Sequence, residues 1–133
     1  MELTNINWLA VAVATVSTFV IGFIWYGPLF AKKWMKEVGM TEEDAKNANM
    51  LMTFGPAFGL TFIMGIALAN LIGPHYTWMS GLQLGAMIGV GFVSTSLGVN
   101  YLFARKSFTL FFIDSGYGII TLMLMGAILG AWH

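Results

Sequence analysis

Residues 108–132 read FTLFFIDSGYGIITLMLMGAILGAW, a run in which Asp114 is the single charge-capable side chain. At 1.5 Å of rise per residue, such a run wound as a helix exceeds the ~30 Å hydrocarbon layer of a bilayer. A helix on the surface of a water-soluble core would show a polar face every 3.6 residues. This one is apolar nearly all round, so it reads as a transmembrane helix, and the rest of the chain is read outward from it.

Three further runs of the same kind precede it, over 6–30, 49–72 and 78–103. Each is about 24–26 residues, enough to cross the layer with some tilt. The 133 residues are 58% hydrophobic and 9% charged, with a mean hydropathy of +0.79. A soluble domain averages about 25% charged. Six Lys and Arg balance six Asp and Glu, which leaves neither a basic field for nucleic acid nor an acidic tail. With no cysteine, disulfides, thiolate metal sites and thiol nucleophiles are excluded. The fold class is an all-α integral membrane four-helix bundle forming a single transmembrane domain over 1–133, with the lipid bilayer as its partner.

The charges also orient the chain. Eleven of the twelve lie outside the apolar runs. All six Lys and Arg fall in the loops after the first and third spans, and none in the loop after the second or at either end. The positive-inside rule then places both termini outside the cell (inner) membrane. The start, MELTNIN, carries Glu2 and no basic residue, so it lacks the n-region of a signal peptide, and the first run is expected to be a retained helix. Trp8, Tyr76, Trp78 and Trp132 fall at the outer interface, and Trp25, Tyr26, Trp34 and Tyr101 near the inner one, as membrane anchors.

Between the first two spans, Gly27-Pro28 predicts a kink. Phe30, Trp34 and Val38 then recur every fourth position while Lys32, Lys33 and Lys36 point elsewhere, which predicts a short interfacial helix. Thr41 and Asp44 resemble a capping box. The second helix is therefore expected to begin near Thr41 and run up into the membrane. Within it, Pro56 cannot donate to the Met52 carbonyl, so a kink or an opened turn is expected.

Sixteen glycines need a reason in a helical protein, because each weakens a helix interior. Gly81, Gly85 and Gly89 recur every fourth residue, with Ser96 and Asn100 extending that face. Gly55 and Gly59 repeat the spacing, as do Gly126 and Gly130. Small residues at this spacing let helices approach closely in lipid. Packing within one bundle accounts for the pattern. So does a homo-oligomer or membrane-protein partner seated on one such face, most plausibly that of the third span.

Asp114 lies seven residues after Ser107, about 10 Å deep. An ionised carboxylate there costs about 2.5–3.5 kcal/mol on insertion scales, so it must be protonated, paired or wet. Tyr26 and Asn100 lie about 8–9 Å from the same interface. A polar cluster of Asp114, Tyr117, Asn100, Tyr26 and the freed Met52 carbonyl is predicted. It serves either as interhelical hydrogen bonding or as a titrating site that couples a proton or cation to transport.

Motifs for catalysis are missing. His75 and His133 have no second ligand at helical spacing, which argues against a metal site. No glycine-rich loop precedes a lysine in phosphate-binding form. Ser94 and Ser96 lack a histidine at their depth. No catalytic residue, cofactor or nucleic-acid partner is expected, and the reading is not an enzyme. A structural or interaction protein packing through glycine-rich faces comes first; a small oligomeric transporter or channel coupled through Asp114 is the alternative.

Two motifs carry a family resemblance. Asn7-Trp8-Leu9-Ala10, Trp25-Tyr26-Gly27-Pro28-Leu29-Phe30, Lys33-Trp34-Met35 and Thr41-Glu42-Glu43 form one. Asp114-Ser115-Gly116-Tyr117 with Met125-Gly126-Ala127-Ile128-Leu129 forms the other. Together they resemble the bacterial membrane family known as domain of unknown function 1761, over nearly the whole chain. The resemblance implies a small four-helix membrane protein and brings no activity or ligand with it. Small multidrug transporters are similar in size and helix count, but their essential carboxylate lies in the first helix, where this chain has none.

Overall fold

The computed structural model describes residues 5–133; Glu2 and the other residues before Asn5 lie outside it. Asn7 caps the first helix, α1 (Trp8–Ile24), by accepting from the Ala10 N–H. A π-turn over Trp25–Leu29 comes next, in which the Phe30 N–H reaches the Trp25 carbonyl at 3.0 Å and Gly27 adopts non-helical angles (φ −100, ψ −108) beside Pro28. The chain kinks where Gly27 can twist and Pro28 withholds its donor.

Helix α2 (Ala31–Val38) ends in a Schellman turn. Gly39, at φ 73, donates to the Lys36 carbonyl and Met40 to that of Met35. Next comes α3 (Glu42–Asn47), whose Thr41–Asp44 capping box has both reciprocal bonds in place, at 3.1 and 3.0 Å. The expected single helix from Thr41 into the membrane is corrected here. Ala48 is extended (φ −66, ψ 138), and Asn49 starts a separate helix by capping the Met52 N–H at 3.2 Å. The Asn49 side chain takes the Met52 N–H in place of a helical carbonyl, which offers the chain an alternative to one continuous rod.

That helix, α4 (Met50–Leu71), runs through Pro56 as one element. The third span comprises α5 (Trp78–Ile88), a π-helical stretch Gly89–Ser94 and α6 (Thr95–Phe103). A Schellman turn at Arg105 leads into α7 (Phe108–Ala131), capped by Ser107. Four helical segments, Trp8–Leu29, Met50–Leu71, Trp78–Phe103 and Phe108–Ala131, are long and apolar enough to cross a membrane.

Glycine decides how closely the helices pack. A Cβ on Gly81 would strike the carbonyl of Gly126, and one on Gly126 that of Gly81. Gly85 meets the Leu122 carbonyl and Gly130 that of Thr77 in the same way, while a Cβ on Gly89 would stand 2.9 Å from the Ile119 Cα. Of the two readings of the third-span glycine face, packing within the bundle and a seat for a second copy, the first holds: the face is occupied within the chain by the one bearing Gly126 and Gly130. Gly55 and Gly59 on α4 have no neighbour within 4 Å of such a Cβ.

Helix α1 lies against α7 and α4. Ala10, Val11, Ala14, Leu68, Leu122, Met125 and Leu129 form the core between them. The buried hydroxyls of Thr15 and Thr18 bond back to the Val11 and Thr15 carbonyls at 2.8 and 2.7 Å, which removes the cost of burying them unpaired. Towards the basic end, Phe19 and Phe23 of α1 meet Phe54 of α4, with Phe19 also stacked on Phe58. The outer surface is lined by exposed Leu, Ile, Val and Phe, as a lipid-facing surface requires.

Candidate functional site

The site is built around Asp114, the seventh residue of α7 and so nearly two turns into it. Two tyrosines from two other spans converge on it. Tyr26, in the π-turn after α1, donates its hydroxyl to Oδ1 at 2.6 Å. Tyr101, on α6, donates to Oδ2. Each carboxylate oxygen therefore has its own O–H donor, and one side chain ties together three of the four spans. An acid at this depth demands such pairing.

Aromatic packing fixes the first of these donors. The Tyr26 ring stands edge-on to Trp34 at 5.7 Å and to Tyr117 at 5.1 Å. Tyr117, predicted as a partner of the acid, instead donates to the Thr18 carbonyl at 3.1 Å. It thereby ties α7 to α1 one turn beyond the carboxyl. Trp25 donates its indole N–H to the Ile113 carbonyl at 2.9 Å. Both aromatics need a glycine opposite: a Cβ on Gly116 would sit 2.9 Å from Trp25 Cζ2, and one on Gly22 3.1 Å from the Tyr117 hydroxyl. The two helices exchange an aromatic for a glycine in each direction.

Of the predicted cluster, the structure brings together Asp114, Tyr26 and Tyr117, the last through ring contact. It does not bring in Asn100, which is exposed. The reason is a register shift. At about 100° per residue an unbroken helix carries Asn100 back to within about 20° of Gly89, on the face towards α7. The π-helical stretch Gly89–Ser94 adds one residue to a turn and rotates the remainder of the span by about 100°. Tyr101 takes the place meant for Asn100. Ser96 is likewise turned outward, while Gly98 comes to face Phe111, 3.1 Å from where its Cβ would lie.

The Met52 carbonyl is not a partner of the acid either, since Met52 is 68% exposed on a part of α4 that lies against the phenylalanines of α1. Trp25 and Tyr101, which position alone makes interface anchors, carry polar bonds of the site. Gly98 and Tyr101 share a helix face at i, i+3, but that spacing does not by itself turn Tyr101 towards the acid. Among the described residues no three His, Asp or Glu side chains converge as metal ligands.

Fold and site together define a multi-pass helical membrane protein with an intramembrane carboxyl clasped by tyrosines. The chain belongs to the family described as Protein of unknown function (DUF1761), whose model matches residues 9–130. No curated protein and no solved structure matches it.

Proposed function

We propose that this chain is a non-catalytic structural or interaction protein of the cell (inner) membrane, in which Asp114 is a fixed clasp between spans. The observation that carries the reading is the engagement of both carboxylate oxygens, one by Tyr26 and one by Tyr101. A group that cycles a proton or cation must exchange partners, whereas these donors come from two different spans, and Tyr26 is braced by ring contacts with Trp34 and Tyr117. Both termini lie outside, in accordance with six Lys and Arg in two loops on one side and none on the other. The α2 helix lies in the interface with Lys32, Lys33 and Lys36 towards headgroups. A second copy or another membrane protein packs on the α4 face bearing Gly55 and Gly59, since the faces bearing Gly81 and Gly126 are filled.

A second reading, an oligomeric transporter or channel coupled through Asp114, draws on the incomplete burial of that residue. Reconstitution into liposomes containing a pH-sensitive dye separates the two. The clasp predicts no proton or cation flux above protein-free vesicles, and an Asp114→Asn variant that folds with reduced stability. A flux that Asp114→Asn abolishes while the fold persists would overturn it.

A further inference from the structure

A groove of about 150 Å³ opens between α6 and α7 at the basic end of the bundle. Its lining is almost wholly apolar, supplied by Gly98, Tyr101, Leu102, Phe108 and Phe111, with Lys106 and Ser107 completing it from the turn. Leu102 and Phe108 are 67% and 71% exposed, so the groove opens sideways onto the surface that faces lipid. The Lys106 ammonium stands 5.2 Å above the centre of the Tyr101 ring. The turn holds it there: Arg105 sits in the left-handed region at φ 57, and the Lys106 N–H bonds to the Tyr101 carbonyl at 2.9 Å. Glycine is the easier residue at such a position, yet the chain places a second cation there.

We propose that this groove binds one anionic glycerophospholipid, with a segment of an acyl chain between Leu102, Phe108 and Phe111 and the headgroup phosphate on Lys106. An apolar cleft with Lys106 in its lining and Arg105 next to it in the chain matches both halves of such a molecule, and basic pockets between membrane helices take anionic headgroups. A free phosphate would use only Lys106, and a zwitterionic lipid would lose the net charge complementarity. Because Tyr101 both borders the groove and holds Asp114, the bound lipid braces the clasp from outside. The site stands whether Asp114 is a fixed clasp or a titrating group, because it uses neither its charge nor its exchange.

The test is thermal unfolding of the purified full chain in neutral detergent with added dioleoyl phosphatidylglycerol, dioleoyl phosphatidylcholine or inorganic phosphate, with native mass spectrometry of retained lipid. Phosphatidylglycerol is expected to raise the midpoint and leave one lipid bound, with phosphatidylcholine and phosphate doing neither. Lys106→Glu should lose most of that shift, and Lys46→Glu, the same charge change on α3, should keep it. If Lys106→Glu fails to fold, Leu102→Trp, which narrows the groove from an exposed position, should lose the bound lipid. Equal shifts in Lys106→Glu and wild type, retention of the lipid by Leu102→Trp, or a shift with phosphate or phosphatidylcholine as large as with phosphatidylglycerol, would overturn the proposal.

Discussion

Gly81 and Gly126 lie backbone against backbone, each occupying the space that a Cβ on the other would need. Without a hydrophobic drive between helices in lipid, this close approach is what binds the third span to the fourth. Gly81→Leu and Gly126→Leu are each expected to prevent folding, and Gly81→Ala to cost about 1–3 kcal/mol by overpacking. Gly55→Ala and Gly59→Ala, made where there is open space, should be neutral or gain up to about 1 kcal/mol of helix propensity in the monomer. Unfolding in mixed micelles measures both sets. Equal losses at Gly81 and Gly55 would contradict this packing.

Trp25 and Gly116 form a second dependent pair. Gly116→Ala puts a methyl 2.9 Å from the indole and should displace it, costing about 1 kcal/mol as the bond to Ile113 weakens. In a Trp25→Ala background the same substitution should cost nothing. A cost that persists there would show that Trp25 is not what the glycine accommodates.

The four spans, their boundaries and the Gly27-Pro28 kink were legible because each depends on local composition and backbone chemistry. Asp114 stood out for the same reason, as the lone acid within an apolar run. What the sequence hid was rotation. Asn100 aligns with Gly81, Gly85 and Gly89 only in an unbroken α-helix, and nothing in GVGFVS announces the widened turn that substitutes Tyr101. The break at Ala48 was equally obscure, since Thr41 and Asn49 each cap a helix and only the fold shows that both do so.

Arg105 occupies a left-handed conformation, at φ 57, that costs a side-chain-bearing residue about 1–2 kcal/mol relative to glycine. Arg105→Gly should therefore stabilise the purified chain in neutral detergent by up to that amount. A destabilised variant would mean that the arginine makes contacts beyond its backbone.

Asp44 accepts from the Thr41 N–H, and that bond holds its carboxyl below the usual carboxylate range. A depressed acid supports its helix above its unfolded pKa, and that support is lost as pH falls through the folded value. The amide signals of α3 should thus show fraying on acidification while those of α4 persist, with Thr41→Ala fraying at every pH. An α3 insensitive to acid would remove the box from the account of that helix.

The tie between Tyr26 and Asp114 is most directly tested by a double-mutant cycle. Tyr26→Phe, Asp114→Ala and the double variant are compared with wild type by unfolding in bicelles. A clasp across the spans predicts a coupling free energy of about 0.6–1.7 kcal/mol, the double variant being less damaged than the two single losses added together. Strictly additive losses would mean that the hydroxyl and the carboxyl do not hold each other, and the clasp would be refuted.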